Sequence, residues 1–483
     1  MDDQTTSLRT LLIGTAMSVS QLHHSLEQVQ PPLSVVGCLL LKPEQAPAMP
    51  CPVLGGFDAL AQVLKQTPVQ EVLLSLPMAM DQKQQALAQQ LEQLGVAWRL
   101  MPTLADQLAG RIRTRTSGAP IDRDLDVARL INRQPQPLDE ASIRSALSGK
   151  RVLITGAGGS IGSELTRIVA RFEPDTLLLV ERSENALFEI DRQLARLHPE
   201  LGRAALLHDV TQEDATRDLM KQHRPHVIFH AAAHKHVPMM EDHPAAAIEN
   251  NFFGTRSIAQ AADACGVERF VMISSDKAVN PSSVMGATKR LAELYIQHLN
   301  RHSQTLYAMV RFGNVLGSAC SVLPIWSDQL ARGGPITVTH QDMTRYFMTI
   351  PEAAGLVLQA GAYAHGGEVF LLNMGEPIHI LELAHRFVTL QGFEPDVDIP
   401  ITLTGVRPGE KLFEELAYTG EDKRPTPHPS IAIWATDPPK DASMTQILST
   451  FQQLRHRRDV SRDIIITALR TSIPEMIDPA QSR

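Results

Sequence analysis

The sequence predicts an α/β protein in which a smaller Rossmann-like domain precedes a Rossmann-like doubly wound parallel sheet. Short apolar runs alternate with helical patterns from Leu11 to Ile273, and this alternation is typical of parallel strands joined by helices. A glycine-rich segment, Thr155 to Gly162, directly follows one of these runs and precedes a helical pattern. Because 483 residues exceed what a single core usually holds, we expect at least two domains.

Composition argues against several other classes of protein. The 43% hydrophobic and 20% charged content is ordinary for a globular protein, and the net charge of −8 gives no basic surface for nucleic acid. The cysteines lack CxxC spacing, so neither a disulfide framework nor a metal site is expected. No apolar run approaches the roughly 18 residues of a membrane span, and the N-terminus lacks signal-peptide features. A cytoplasmic location is therefore predicted.

The first region, residues 1–110, contains apolar runs at Leu11 to Gly14, Leu33 to Leu41 and Val69 to Leu76, with helical patterns between them. Only Gly14 remains of a possible phosphate loop, so the backbone there is not suited to close approach by a pyrophosphate. This favours a scaffold without ligand over a nucleotide- or sugar-sensing domain. Residues 111–148 are rich in proline and arginine and are predicted to be a connector.

The glycine-rich segment lies between a predicted strand, Val152 to Ile154, and a predicted helix beginning at Ser163. In this context Gly156 permits a tight turn, Gly159 permits close approach of a pyrophosphate, and Gly162 lets the helix pack on the sheet. The free N–H groups at the start of the helix would then face the phosphates. Ser160 and Ile161, in the same turn, are also expected to contact the cofactor.

The next strand ends in an acidic and a basic residue, Glu181 and Arg182. Glu181 follows Gly162 by 19 residues, where a carboxylate can hold the ribose hydroxyls of NAD. A guanidinium at Arg182 would instead suit the 2′-phosphate of NADP. We predict NAD, with NADP as the alternative, and expect Ser183 to contribute to the same site.

Two further strand ends complete the predicted cofactor site. One delivers Asp209 and Val210 close to the adenine, and the other is followed by three small residues that let a cofactor lie against the backbone, Ala231, Ala232 and Ala233.

A fifth predicted strand, Phe270 to Ile273, brings Ser275, Asp276 and Lys277 to this edge of the sheet. Lys289 follows Met285 by one helical turn, so their side chains share a helix face. This layout is that of a short-chain dehydrogenase active site, with Met285 at the position usually held by a tyrosine.

The chain resembles the polysaccharide-biosynthesis (CapD-like) nucleotide-sugar 4,6-dehydratases, the methionine-for-tyrosine branch of the extended short-chain dehydrogenase/reductase superfamily. The resemblance covers about residues 150–435. Its segments are Leu153 to Leu165, His230 to Glu241, Ile273 to Glu293, Val310 to Ser318, Gly333 to Pro351, Leu372 to Pro377 and Gly405 to Leu416. Residues 149–435 are therefore expected to be the catalytic domain, with its substrate-binding part at the C-terminal end. Residues 436–483 are expected to be a helical segment.

The N-terminal region resembles a nucleotide-binding-like domain of longer family members. Those members often begin with membrane helices, so this chain is expected to be a soluble short form or a truncation. Cys320, where the family usually has glycine, and Val127 to Arg133 in the connector depart from the family pattern.

The resemblance implies conversion of a UDP-sugar, most often UDP-N-acetylglucosamine, to a UDP-4-keto-6-deoxy sugar with internally recycled NAD. The implied catalytic set is Ser275, Asp276, Lys277, Met285 and Lys289, and the implied substrate residues are Lys235, Asn251, Asn314, Arg407 and Glu410. Lys235 and Asn251 would line the sugar or ribose side, and Asn314 and the loop Arg407 to Lys411 would hold the uridine diphosphate. Lys289 would also bind the nicotinamide ribose. A homo-oligomer is expected through the helix that starts near Met285.

In this chemistry Lys277 acts as a base, which requires a lowered pKa, and Asp276 acts as an acid, which requires a raised one. Lys289, water or the Ser275 hydroxyl are candidates for taking the proton from the carbon-4 hydroxyl. Two alternatives remain: a sugar-nucleotide 4-epimerase or other dehydrogenase of the same fold, and a non-catalytic UDP-sugar-binding regulator.

Overall fold

The structure is a computed structural model that describes residues 8–27, 33–77, 80–103, 105, 130–131, 133, 136–391, 393–416, 423–434, 438–456 and 460–477. The chain divides into two compact units. The first consists of Met1–Asn132, Cys320–Asp342 and His379–Gly405, and the second of Arg133–Ala319, Met343–Ile378 and Val406–Arg483. Much of the expected connector, including most of Val127 to Arg133, lies outside the described residues.

The first unit contains a parallel five-stranded sheet. From one edge to the other its strands are Val53–Gly56, Ser34–Leu40, Arg9–Gly14, Glu71–Ser75 and Ala97–Leu100. Helices Ala16–Leu26, Leu60–Gln66 and Asp81–Gln93 connect them. The strand interiors are apolar and fully buried, as at Leu11, Leu12 and Ile13. This burial on both faces of the sheet is why each strand is a short apolar run in the sequence.

The same unit also contains residues from later in the chain. Helices Val322–Ala331 and Ile380–Leu390 pack through Trp326 and Phe387, whose ring centroids are 5.7 Å apart. Strands Ile336–Val338 and Ile401–Leu403 form a parallel pair.

Protein atoms fill the turn after the first strand. Ser18 Oγ donates a hydrogen bond to the Ser75 carbonyl oxygen (2.6 Å), and a Cβ on Gly14 would lie 2.3 Å from that oxygen. The Thr15 hydroxyl accepts a hydrogen bond from the Ser18 N–H (3.1 Å), so a side chain caps the helix that follows. Gly14 is therefore required by its close approach to the Ser75 carbonyl oxygen.

The second unit is built on a nine-stranded sheet. Near one edge the strand Ile431–Trp434 runs antiparallel to both of its neighbours. From that edge its strands are Lys423–Pro425, Ile431–Trp434, Val369–Leu372, Leu306–Arg311, Arg269–Ile273, Val227–His230, Arg151–Thr155, Thr176–Glu181 and Arg203–Leu207. Short strands Asn314–Leu316 and Phe347–Thr349 pair beside it. The order confirms the predicted doubly wound fold.

Helices of the second unit pack over two apolar cores. They are Glu140–Leu147, Ser160–Ala170, Glu184–Leu197, Glu213–His223, Val237–Asp242, Pro244–Ala247, Gly254–Ala264, Val284–Asn300, Ile350–Tyr363, Asp441–His456 and Arg462–Ser472, with a π-helical stretch at Ile248–Phe253. Among the described residues, none of the helices is both long and apolar enough to cross a bilayer.

One helix lies where the sequence analysis expected only a connector. Glu140–Leu147 begins after Asp139, whose carboxylate accepts a hydrogen bond from the Ser142 N–H (3.2 Å). Ile143 and Leu147, four residues apart, are buried. An aspartate cap and one apolar helix face therefore outweigh the helix-breaking effect of the preceding prolines.

Candidate active site

A crevice opens at the carboxyl end of the strand Arg151–Thr155. From this strand the sheet grows to one side through Thr176–Glu181 and later to the other side through Val227–His230. Ligands bind at such points, where the strand order reverses. Residues expected to contact the cofactor line this crevice: Gly156, Gly159, Glu181, Arg182, Asp209, Val210, Ala231, Ala232 and Ala233. Four lining residues were not singled out from the sequence: Val180, His208, His234 and Asn250.

The glycine turn has the geometry that its sequence predicts. Gly156 has a φ of 64°, and a Cβ there would lie 2.9 Å from the Ala232 backbone. At Gly162 a Cβ would lie 2.0 Å from the Gly156 carbonyl oxygen, so glycine is required where the turn and helix cross. The helix Ser160–Ala170 has no side-chain cap, which leaves its first N–H groups available to an anion.

The predicted cofactor residues that do not line the crevice are Ser160, Ile161, Gly162, Ser183 and Lys289. Ser160 Oγ accepts a hydrogen bond from the Ala319 N–H (3.0 Å), and Ile161 packs against the hydrophobic core. Ser183 caps the helix Glu184–Leu197, with its hydroxyl accepting from the Ala186 N–H (3.5 Å).

Glu181 is fixed beside the glycine turn. Its Oε2 accepts a hydrogen bond from the Gly158 N–H (3.2 Å), and its Oε1 accepts from the N–H groups of Arg182 (2.9 Å) and Ser183 (3.0 Å). The guanidinium of Arg182 donates to Asn250 Oδ1 (3.2 Å) and contacts His234 Nε2. The carboxylate therefore lies next to the turn, while the arginine is engaged by neighbours on the other side of the crevice.

Asp209 is also preoriented. Its Oδ1 accepts hydrogen bonds from the N–H (2.9 Å) and hydroxyl (2.8 Å) of Thr211. Burial opposes ionisation of this carboxyl group, but the two bonds outweigh it and hold its pKa below the ordinary value.

The predicted catalytic turn follows the strand Arg269–Ile273 and is a short 3-10 helix, Asp276–Ala278. Ser275 Oγ donates to Asp276 Oδ1 (2.8 Å), which also accepts from the backbone N–H (2.8 Å) and Nζ (3.0 Å) of Lys277. Asp276 is completely buried. Ser275, Asp276 and Lys277 are therefore joined in one hydrogen-bonded group.

Lys277 lies among oxygen atoms. Its Nζ is 3.0 Å from Asn314 Oδ1 and 3.5 Å from Glu414 Oε1, besides its contact with Asp276. Burial disfavours the ammonium, but the carboxylates of Asp276 and Glu414 outweigh burial and raise the pKa of Lys277. The lowered pKa that the sequence analysis required of this base is therefore wrong for the structure as it stands. The carboxylate of Asp276 contributes most to this rise, and that of Glu414, a residue that no sequence motif singles out, adds to it.

Met285 and Lys289 lie one turn apart on the helix Val284–Asn300 and are both buried. Burial lowers the pKa of Lys289 to about 8, against the opposing effect of Glu293. Among the described residues the Lys289 ammonium makes no hydrogen bond or ion pair. A partly neutral amine is thus present near neutral pH on the helix face where the sequence lacks a phenol.

The predicted substrate residues each have different neighbours in the structure. Asn314 lies against Lys277, and Arg407 is about half exposed with its guanidinium against Glu410 Oε1 (2.5 Å). Lys235 Nζ donates to the Ala319 carbonyl oxygen (2.8 Å).

Asn251, expected on the sugar or ribose side, is instead fully buried. Its Oδ1 accepts from the His234 N–H (2.8 Å), and its Nδ2 donates to Thr288 Oγ1 (3.1 Å). The Asn251 amide therefore connects the backbone at His234, which lines the crevice, to Thr288 on the helix Val284–Asn300. Lys411, part of the loop expected to hold the diphosphate, likewise points inward and donates to the Val279 carbonyl oxygen (3.2 Å).

One group of described side chains has spacing suitable for a metal ion: His298, His302 and Asp441. Arg301 also donates to Asp441 Oδ1 (3.1 Å), so a guanidinium already accompanies that carboxylate.

Residues 152–436 match the model of a family described as polysaccharide biosynthesis protein. The chain belongs to this family. Residues 5–102 match a second family, described as a CoA-binding domain.

Several known proteins are similar to this chain. It is 45% identical over 377 residues to the probable polysaccharide biosynthesis protein EpsC of Bacillus subtilis (strain 168), covering 77% of this chain and 62% of that protein. It is 29% identical over 272 residues to a UDP-N-acetylglucosamine 4,6-dehydratase (inverting) of Campylobacter jejuni (55% and 77% covered). It is 31% identical over 282 residues to a UDP-glucose 4-epimerase of Rickettsia bellii (56% and 79% covered). The chain thus spans about three fifths of the length of EpsC.

A solved structure, that of Pen from Bacillus thuringiensis, is also similar. It shares 32% identity with a TM-score of 0.55, and the match covers 60% of this chain and 89% of that one. The likeness supports the fold.

Proposed function

We propose that the chain is a nucleotide-sugar 4,6-dehydratase that acts on a UDP-sugar, with UDP-N-acetylglucosamine as the first candidate. The observation that carries this proposal is the contact of the buried Asp276 with the partly buried Lys277, at the carboxyl end of a strand next but one to the glycine-turn strand. Loss of water needs an acid and a base side by side near a hydride acceptor. The Campylobacter relative named as a dehydratase supports the same reaction.

The crevice residues fit a nicotinamide dinucleotide. The uncapped start of the helix Ser160–Ala170 suits a pyrophosphate, and the small residues Ala231–Ala233 leave room beside the backbone. Glu181 suits ribose hydroxyls, whereas Arg182 is engaged by Asn250, so we favour NAD over NADP. When bound, this cofactor would accept a hydride from carbon 4 of the sugar and return it to carbon 6, with no net redox change.

One proton transfer can turn the ion pair into both catalysts. A proton moves from Lys277 Nζ to Asp276 Oδ1 across 3.0 Å, breaking an N–H bond and forming an O–H bond. The resulting amine removes the proton on carbon 5, and the carboxylic acid protonates the hydroxyl that leaves carbon 6 as water. The elimination restores the ammonium and the carboxylate, and the ammonium would then return its proton to carbon 5 when carbon 6 receives the hydride. Lys277 would regain a proton from solvent, and the proton taken from the carbon-4 hydroxyl would pass to solvent, which closes the cycle. This sequence explains how a lysine with a raised pKa can still act as the base.

For the proton on the carbon-4 hydroxyl we favour Lys289. Its pKa of about 8 gives a neutral fraction near neutral pH, whereas Ser275 Oγ already donates to Asp276 (2.8 Å). The ammonium formed would then stabilise negative charge on the carbon-4 oxygen. Met285 cannot exchange a proton, because a thioether has none to give and is a weak acceptor.

The exposed guanidinium of Arg407 is the proposed anchor for the diphosphate, because a guanidinium can bind phosphate with two parallel hydrogen bonds. In the structure this group is paired with Glu410, so binding would exchange that contact for phosphate. Asn314, beside Lys277, is proposed to contact the sugar.

The test is to incubate the purified chain with UDP-N-acetylglucosamine and NAD and to follow the nucleotide sugar by mass spectrometry. A dehydratase gives a product lighter by one water. Unchanged mass with a new sugar isomer would indicate the 4-epimerase alternative, which the Rickettsia relative supports. Intact substrate that still binds would indicate a non-catalytic binding protein. The variant Asp276→Asn is the control, since it should form no dehydrated product.

A further inference from the structure

A second buried carboxylate, Glu414, accompanies the proposed acid and base. Its Oε1 lies 3.5 Å from Lys277 Nζ, which also contacts Asp276 Oδ1 (3.0 Å) and Asn314 Oδ1 (3.0 Å). The side chain of Glu414 is only 3% exposed. The ammonium of Lys277 is therefore held between carboxylates from two distant parts of the sequence.

The segment that carries Glu414 is fastened to the rest of the unit. Arg345 donates to the carbonyl oxygens of Lys411 (2.8 Å) and Leu412 (3.1 Å), and Lys411 Nζ donates to the Val279 carbonyl oxygen (3.2 Å). Val279 directly follows the catalytic turn Asp276–Ala278. Because these bonds join the segment to that turn, they fix Glu414 at its distance from Lys277.

Two carboxylate oxygens in this cluster have no hydrogen-bond partner in the part of the chain that the structure describes. They are Asp276 Oδ2 and Glu414 Oε2, and both are buried. Buried polar atoms nearly always have partners, and the exceptions are often found where a protein has a chemical task. The two unpartnered oxygens therefore point to a chemical task for this cluster.

Four charged groups face one another in this cluster. Asp276 and Glu414 are the anions, and Lys277 and Arg345 are the cations, with Arg345 Nε 3.9 Å from Glu414 Oε1. Burial and the charge of Asp276 raise the pKa of Glu414, whereas the positive charges of Lys277, Arg345 and Lys411 favour its carboxylate form. Without the negative charge of Glu414, Lys277 would keep one carboxylate neighbour and still face Arg345. Its ammonium form would then be less stable.

We propose that Glu414 is a positioning residue whose carboxylate holds the Lys277 ammonium against Asp276, so that one proton stays shared by the acid and the base until substrate enters. The part of this inference that concerns catalysis rests on the proposed dehydratase function. The part that concerns the charge state of Lys277 does not.

The charge state can be measured without any turnover. The probe is the protein labelled with 13C at the lysine ε-carbons, with the Lys277 signal assigned by its disappearance in Lys277→Arg. In the native chain the midpoint of this signal should lie above that of an ordinary exposed lysine. In Glu414→Gln, which keeps the shape and removes the charge, the midpoint should fall by about one pH unit or more.

Glu415→Gln is the matched control. Glu415 is the next residue and also carries a carboxylate, but it contacts Asn280 Nδ2 (2.7 Å) and Lys411 Nζ (3.4 Å) rather than Lys277. It should leave the Lys277 signal unchanged. An unchanged signal in Glu414→Gln, with folding confirmed by circular dichroism, would overturn the proposal.

A second measurement uses the pH profile of dehydration. In Glu414→Gln the alkaline fall in kcat should move to lower pH, with little change in the KM for the nucleotide sugar. Glu414→Asp, which retains the charge, should restore the alkaline limb at least in part. A merely structural role would lower the rate at every pH without moving the limb, and that result would overturn the proposal. If the native chain forms no dehydrated product, the proposed function fails, and the lysine signal still decides the role of Glu414.

Discussion

Arg311 and Glu293 form a two-pronged ion pair in the interior, with Nε to Oε1 at 2.7 Å and the second nitrogen to Oε2 at 2.6 Å. Glu293 also accepts a hydrogen bond from Ser274 Oγ (2.6 Å), and the Arg311 guanidinium lies over the Trp434 ring at 4.3 Å. Glu293 is one helical turn beyond Lys289, and Ser274 lies two residues before the catalytic turn. The ion pair therefore fixes the distance between the helix and the strand that carry the proposed catalytic residues.

Breaking this pair should be costly. Glu293→Gln would leave Arg311 buried with an uncompensated charge, and the free energy of unfolding should fall by about 3–5 kcal/mol. Urea denaturation measures this change. The control is Glu268→Gln, whose partner Lys150 lies near the surface, and it should cost about 0–1 kcal/mol. Similar small losses in both variants would contradict the proposed importance of the interior pair.

Asp276→Asn should stop water elimination while cofactor binding persists. The substitution keeps the shape of the side chain but removes the group that receives the Lys277 proton and passes it to the leaving hydroxyl. We expect a fall in kcat of roughly 10²–10⁴-fold, the usual value of general acid–base help. Calorimetric titration with NAD checks binding, and mass spectrometry checks the product. Near-normal turnover would place the acid elsewhere.

Replacing Lys289 should be far more damaging than replacing Met285. Lys289→Ala removes the amine proposed to take the carbon-4 proton and should abolish turnover. Met285→Ala removes only buried packing, so it should lower stability by about 2–5 kcal/mol and affect the rate less. Kinetics on both variants, with folding confirmed by circular dichroism, decide the matter. Equal losses of activity would show that the methionine does more than fill space.

The first oxidation step should depend on pH through Lys289. Its pKa of about 8 lies below the ordinary value, so the amine is the minor form below pH 8 and the major form above it. In rapid mixing with substrate, the rate constant for cofactor reduction should rise about tenfold per pH unit below 8 and level off above it. A rate constant that does not change between pH 6 and 9 would exclude Lys289 as the base.

Acid should destabilise the second unit through His230. This side chain is fully buried between Thr155 Oγ1 (2.8 Å) and Thr255 Oγ1 (2.9 Å), and burial followed by the charge of Lys289 lowers its pKa to about 3. The unfolded chain binds a proton at His230 near pH 6.5, while the folded chain does not. This contribution is therefore complete above pH 6.5 and is lost as pH falls toward 3, at up to about 1.4 kcal/mol per pH unit.

The measurement for His230 is the urea midpoint at pH 7 and at pH 5. His230→Asn keeps a donor and an acceptor but does not titrate, so its stability should depend less on pH than that of the native chain. The same pH dependence in both proteins would assign the acid sensitivity to other groups.

The glycine turn and Glu181 could be predicted from the sequence because their geometry is local. Gly156 is required because its φ is 64°, and Gly162 is required because the helix passes close to the turn at this residue. Both glycines lie within one short segment of the sequence. The fold could be predicted for a similar reason, since each buried strand is a short apolar run such as Val152–Ile154.

Other features depend on contacts that no local pattern contains. Glu414 reaches Lys277 only because a distant segment folds back onto the catalytic turn, and its carboxylate adds to that of Asp276 in raising the pKa of Lys277. Asparagine is a common ligand contact, but Asn251 is completely buried because its amide bonds His234 and Thr288, which are distant in sequence. The helix at 140–147 was missed because the prolines before it were given more weight than the Asp139 cap.

The outermost antiparallel strand, Lys423–Pro425, ends the nine-stranded sheet with two cations and a proline, all exposed. A proline lacks the N–H that a further strand would need, and neighbouring like charges repel a second copy of the same edge. The neighbouring strand, Ile431–Trp434, is apolar, and as an exposed edge strand it could pair with another chain. A chain from which residues 423–425 had been removed should therefore aggregate edge to edge.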